Sequence, residues 1–289
     1  MVEYINLVIA GAVQGLVIAL AALAISLSFA VARFPNAATG DTMTVGAYVA
    51  VLVQAATAGS LLLGSIAAVI VTTLVSVACY LLVFKKLERR PLVASLIASI
   101  GIAFFLRSML TFFLGFEQHV FQVPIMRALN FSGVRIIRID LWLSGVAVLV
   151  LAATFVVLFL TPLGRRMRAV AADMDLARAS GIRTGRVMIA LWAIVGVLSA
   201  VAGIMVGIKT VVTPDLGWDL LLPAFAAAIL GGIGSPGGAV LAAILLGVAQ
   251  EVSTPFVGFT YKIALAFVAL IAVLIVRPAG LFGQPERVR

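Results

Sequence analysis

The sequence predicts an all-α protein, a single polytopic bundle of transmembrane helices over residues 1–289 with about eight to nine membrane segments, two of them interrupted by Gly and Pro. Three observations carry this. First, 64% of the residues are hydrophobic and 11% charged, with mean hydropathy +1.25, whereas a soluble domain is about a quarter charged. Second, apolar runs of span length follow one another with short polar joins. Third, the basic residues gather in a few of those joins, as they do in cytoplasmic loops. The net charge of +9 is accompanied by only three Trp and four Tyr. Topogenic charge explains it, and no nucleic-acid partner is expected.

In order, residues 5–32 form a first span ending at Arg33. MVEYIN has Glu3 and no basic stretch, so this run reads as a retained span, not a cleaved signal. FPNAATGD (34–41) interrupts it, and 43–58 is apolar but short. Residues 61–84 span and end in KKLERR (85–90), with four basic residues. Residues 92–115 span again. A polar connection, 116–140, holds His119, Pro124, Asn130, Gly133 and Asp140. Residues 141–161 and 187–208 flank an Arg-rich loop. KTVVTPDLGWD (209–219) is a short turn. Residues 221–251 are two apolar pieces around GGIGSPGG (231–238), with five glycines. Residues 259–276 form the last span, before a basic tail with Arg277, Arg287 and Arg289. Placing 85–90 and 164–186 inside puts 116–140 and the N-terminus outside and the tail inside. Arg127, Arg135 and Arg138 run against that placement, but six Arg in the later loop outweigh three. Nine passes result if both interrupted regions cross fully, fewer if either is re-entrant.

The Arg-rich loop, about 163–186, carries Arg165, Arg166, Arg168, Arg178, Arg183 and Arg186. Within it AVAADMDLARAS (169–180) predicts one short helix stopped by Gly181. A small-residue helix of this kind can nest into a partner's surface. A plain solvated connection is the other reading.

The two broken segments share a pattern of short apolar piece, Gly/Pro/polar break, short apolar piece. Irregular backbone at membrane depth must be satisfied by protein or water, and paired breaks point to a transport pathway. Candidate pathway residues are Asn36, Thr39, Gly40 and Asp41 in the first break, and Gly231, Gly232, Gly234, Ser235, Gly237 and Gly238 in the second. Tight turns or small-residue helix packing are the alternative. Asp41 is either an intramembrane functional acid or a cap for a helix beginning at Thr42. The single His119 reads as solvated or locally bonded, and Cys79 as a small lipid- or helix-facing residue that cannot form an internal disulfide.

There is no GxxxxGK[ST], no Cys/His cluster for a metal and no nucleophile–base pairing. Acid/base pairs embedded in the spans are not expected either. The chain therefore reads as a non-enzyme without a cofactor of its own. A pathway without an energy source, beside a prominent loop, points to energy supplied in trans.

Three stretches carry a family resemblance. RAVAADMDLARASGIRTGRVMIALWAIVGVLSAVAGIMVG (168–207) is similar to a cytoplasmic coupling segment and its following span. AFAAAILGGIGSPGGAVLAAILLGVAQE (224–251) is similar to a glycine-rich signature, and GLVIALAALAISLSFAVARFPNAATGDTMTVGAYVA (15–50) to the family's first break. Together they resemble the permease subunits of branched-chain amino acid ABC importers, more the first of two paralogous permeases than the second. Where the family typically reads N-F-A-H-G-E, this chain has Asn36-Ala37-Ala38-Thr39-Gly40-Asp41, with smaller side chains at Ala37 and Thr39. The resemblance implies a bacterial or archaeal cytoplasmic membrane, a heterodimer with a paralogous permease, two ATP-binding-cassette ATPases that bind ATP-Mg, and an extracytoplasmic solute-binding protein. It implies uptake of branched-chain or related amino acids, or of a small amide-like or carboxylate solute. It assigns ATPase coupling to Ala171, Ala172, Asp173, Ala177 and Gly181. Asp173 then meets a basic partner or caps a helix, although Asp173 and Asp175 among six Arg are equally plain charge balance. The competing class is a stand-alone secondary transporter or channel built on inverted repeats.

Overall fold

Helices that are apolar on every side divide here into a buried centre and an exposed wrapping. The computed structural model describes residues 2–282 apart from 58, 89, 124–128, 132–133, 233, 259–260 and 278–279. The expectations for Pro124, Arg127, Gly133, Arg287 and Arg289 lie outside the described residues. The elements are α1 (Val2–Ala32), α2 (Ala38–Ala56), α3 (Leu61–Cys79), a π-helical turn (Tyr80–Phe84) running into α4 (Lys85–Leu87), and α5 (Leu92–Leu114). Then come β1 (Leu129–Phe131), β2 (Val134–Ile136), α6 (Arg138–Leu160), α7 (Pro162–Ala172), α8 (Met174–Ala179), α9 (Thr184–Lys209), α10 (Leu216–Gly231), α11 (Pro236–Val257) and α12 (Lys262–Val276).

Six of these are long and apolar enough to cross a membrane: α1, α3 with its extension to Leu87, α5, α6, α9 and α11. Helices α2, α10 and α12 have 19, 16 and 15 residues. Among the described residues the all-α expectation holds except for a small antiparallel strand pair in the 116–140 connection, β1 with β2, pairing Leu129 with Ile136 and Phe131 with Val134, and an isolated bridge between His119 and Val212.

The centre is α1, α2, α9 and α10. In α1, residues 17–28 are buried without interruption, and in α2 residues 38–48 are. The most apolar window of α1 is 78% buried, that of α5 only 17%. Both sequences are apolar all round, so composition does not separate them; the rest of the chain covers one and leaves most of the other exposed. Close approach at the centre depends on missing side chains. A Cβ on Gly11 or Gly15 of α1 would lie 2.6 Å from Val248 Cα or 2.7 Å from Ile244 Cα of α11.

Helix starts follow local chemistry. Thr161 accepts a hydrogen bond from the Gly164 N–H at 3.4 Å and Pro162 opens α7. Ser235 accepts from the Gly238 N–H at 3.3 Å and Pro236 opens α11. Two boundaries differ from expectation. The first break is shorter than 34–41, because α2 begins at Ala38. There the Asn36 side-chain oxygen accepts from the Ala38 N–H at 3.1 Å. Asp41 therefore sits inside the first turn of α2 and is not its cap. The second break narrows to 232–235, between the end of α10 and Ser235.

Candidate functional site

The two breaks meet. A cavity of about 350 Å³ is lined by Ile25, Ser26 and Phe29 of α1, Pro35 and Ala37 of the first break, Leu96 of α5, Phe225, Ala228 and Ile229 of α10, and Gly234 of the second break. Its walls are almost wholly apolar, with the buried Ser26 hydroxyl unpartnered at one side. Gly234 has φ +81, a conformation favouring glycine, and an added Cβ would reach Ala30 at 3.9 Å. The C-terminal segment closes the end of α10: the Leu281 N–H donates to Leu230 at 2.8 Å and the Phe282 N–H to Gly231 at 3.2 Å.

Most pathway candidates stand behind the cavity, not in its wall. Asn36, Thr39 and Asp41 are buried at 2% exposure or less. Gly40 is where α2 meets α10, since a Cβ there would lie 2.7 Å from the Gly217 carbonyl oxygen. Gly231 and Gly238 press backbone on backbone in the same way, and Gly232 is buried beside Gly280. Ser235 is engaged as a helix cap. Gly237 would meet nothing within 4 Å. Among the ten, only Gly234 lines the cavity.

An ion cluster stands beside this region. Asp41 accepts from Arg107 Nε at 3.0 Å, and Arg107 Nη1 lies 3.1 Å from Asp215. The guanidinium sits 5.1 Å from the Trp218 ring and 5.9 Å from that of Phe104. The expectation of no acid/base pair in the spans is thus corrected. Arg107 was legible as a lone cation inside AFFLRSML of α5. Its partners lie 66 and 108 positions away, beyond any sequence periodicity.

The Arg-rich loop folds as two helices, not one over 169–180. The backbone is extended at Asp173 (φ −154, ψ 115), which ends α7 and caps α8. Its carboxylate accepts from the Leu176 and Asp175 N–H groups at 3.0 and 2.9 Å. These bonds hold its pKa below the ordinary carboxylate value, with the Arg33 charge adding to the effect. Gly181 follows α8 at φ +81, as the glycine stop requires. Ala172, Asp173 and Gly181 are exposed and Ala171 is half-buried. Ala177 is buried at 4%, so its methyl packs inward. Leu176, absent from the sequence reading, is 65% exposed on the same turn. At the other end Gly164 packs against the Leu158 carbonyl with no room for a side chain, and Arg168 donates to that same oxygen.

His119 pairs through its backbone with Val212, at 3.1 and 2.8 Å, and packs edge-on to Tyr48 at 5.6 Å. Cys79 is a free thiol. No group of three metal-ligating side chains occurs among the described residues.

Residues 7–276 match the family model described as branched-chain amino acid transport system / permease component. The high-affinity branched-chain amino acid transport system permease protein BraD of Pseudomonas aeruginosa is 29% identical over 300 residues, covering 98% of this chain and 97% of BraD. The corresponding LivH protein of Escherichia coli K12 is 28% identical over 292 residues, covering 96% of this chain and 94% of LivH. Among solved structures, PsaBC from Streptococcus pneumoniae in complex with Fab has a similar fold, with TM-score 0.51 and 13% identity over 95% of this chain and 91% of that one.

Proposed function

Because the chain belongs to the branched-chain amino acid transport permease family, we propose that it is the membrane subunit of an ATP-binding-cassette importer for branched-chain or related amino acids. It is a multi-pass protein of the cytoplasmic membrane, and the transport role belongs to it as a permease. The observation that carries the importer reading is the pairing of an apolar cavity between two Gly/Pro breaks with an exposed two-helix loop beneath one of them. The first is what an apolar side chain needs in transit. The second is what an external ATPase needs as a handle.

In this reading the chain crosses about nine times, with α2, α10 and α12 as the short crossings. A 16-residue helix such as α10 is about 24 Å long, less than the hydrocarbon thickness. The break and the 280–282 segment complete it on one side, where they satisfy its last carbonyls. The N-terminus lies outside and the Arg-rich loop inside. Pro35, Ala37 and Gly234 line the pathway. Asn36, Thr39, Gly40 and Asp41 hold the first break in place, and Gly231, Gly232, Ser235, Gly237 and Gly238 shape the second. Ala171, Ala172, Asp173 and Gly181, joined by Leu176, face the ATPase, and Ala177 supports them from within. The partners are a paralogous permease, two ATPases carrying ATP-Mg, and an extracytoplasmic solute-binding protein. The chain itself performs no bond chemistry.

The docking assignment is tested by co-purification. ATPases co-expressed with the permease pair are expected to co-elute with the parental chain and to be lost or strongly reduced with Leu176→Glu or Asp173→Arg. Unchanged co-elution with both variants contradicts the assignment.

A further inference from the structure

The loop is attached to the first break by more than chain continuity. Arg33 is the one non-glycine residue with positive φ among the described residues (φ 62). It ends α1 in the left-handed conformation that glycine usually takes at a helix end. Its guanidinium Nη2 donates to the carbonyls of Ala171 and Ala172 at 2.9 and 2.6 Å, the last carbonyls of α7. A cation at a helix C-terminus is matched to the helix dipole as well as to those free oxygens.

The next residue, Phe34, is buried and packs on Phe84 at 5.0 Å and Trp192 at 6.3 Å. Phe84 and Tyr80 stack on the same Trp192 at 4.8 and 6.1 Å, both turned toward it by the π-helical turn. The Tyr80 hydroxyl donates to Glu88 at 2.8 Å, and Glu88 pairs with Arg178 of α8 at 3.2 Å. The loop is therefore held twice. The end of α7 grips Arg33 directly, and α8 reaches Phe34 through Glu88, Tyr80 and the aromatic stack. Pro35 and Ala37, immediately beyond, line the cavity.

From this closed ring of contacts we infer that Arg33 is the positioning residue that transmits movement of the α7–α8 loop to the cavity wall at Pro35 and Ala37. Phe34 and its stack are the second arm of the same linkage. The inference rests on the reading of the loop as the ATPase contact. Arg33 is solvent-exposed, and exposed charge contacts contribute little to folding stability. The strained left-handed turn places the Arg33 guanidinium on the last carbonyls of α7.

The test uses the complete transporter, permease pair and ATPases together, with Cys79→Ser to remove the native thiol and Ala37→Cys as a reporter in the cavity wall. The rate of labelling by N-ethylmaleimide is compared between nucleotide-free complex and complex trapped with ATP and vanadate. The parental complex is expected to show a change of about fivefold or more, the low end of typical coupling between sites. Arg33→Gly keeps the left-handed turn without strain and removes the guanidinium. It is expected to reduce the change severalfold, leaving only what the Phe34 arm carries, while ATPase content and hydrolysis persist, and Arg33→Lys, which can still donate to the two carbonyls, restores part of it. A nucleotide-dependent change that survives Arg33→Gly at full size overturns the inference alone. A parental complex whose labelling ignores nucleotide also overturns the inference, while the docking reading stands or falls on the co-elution of the ATPases.

Discussion

Asp41 is fully buried, and one of its oxygens has no partner in the structure. Its charge is compensated by Arg107, whose own side chain is 19% exposed. Removing one member of such a pair leaves an uncompensated charge, which costs more than the pair gains. Arg107→Leu is expected to destabilise the protein by about 3 kcal/mol, read as a fall in thermal midpoint of the detergent-purified chain. The double variant with Asp41→Leu is expected to recover much of the loss, and a double variant worse than the sum of the singles contradicts the ion-pair account. At this scale the sequence was half legible. Asp41 stood out beside a break, and Asp173 was readable as a helix cap. Arg107 could have been found as a cation within an apolar run. That Arg107, Asp41 and Asp215 converge depends on how α2, α5 and α10 cross, and no local spacing encodes that. Ala177 was misplaced for a similar reason: the kink at Asp173 turns α8 and sends that methyl inward.

Among the elements, the glycine-rich break separates into positions with different tasks. Gly238 meets the backbone of Gly231 where α10 and α11 cross, whereas Gly237 faces open space. Gly238→Ala forces the crossing apart and is expected to cost about 1–3 kcal/mol, as overpacking does. It is expected to lower the yield and thermal midpoint of the purified chain. Gly237→Ala is expected to leave both near the parental values. Equal loss from the two substitutions contradicts this division. Helix existence was readable from apolar run length, because the bilayer sets that length. Helix ends were less so. Ala38–Asp41 looks like a break by composition yet forms the first turn of α2, since burial between α1, α5 and α10 overrides the weak propensity of Thr and Gly. The Asp173 kink was hidden by the surrounding Ala, which would favour a continuous helix.

For the whole molecule, the division of labour between helices was the least legible feature. In a membrane protein the buried and lipid-facing sides are equally apolar, so α1 and α5 read alike although one is central and the other peripheral. What the sequence did carry was the placement of its exceptions: two Gly/Pro breaks and one Arg-rich loop. The fold brings the breaks to a common cavity and hangs the loop from Arg33 beneath the first of them. A pathway and a handle in one chain, without a nucleotide site of its own, is the central claim, and reconstitution tests it most directly. The chain is placed in proteoliposomes with its paralogous permease, the two ATPases and the solute-binding protein, and uptake of labelled leucine, isoleucine and valine is followed. The account predicts uptake that requires ATP on the ATPase side and the binding protein on the other, and that vanishes when either is omitted. Uptake of the same solutes by this chain alone, driven by an ion gradient, would contradict it.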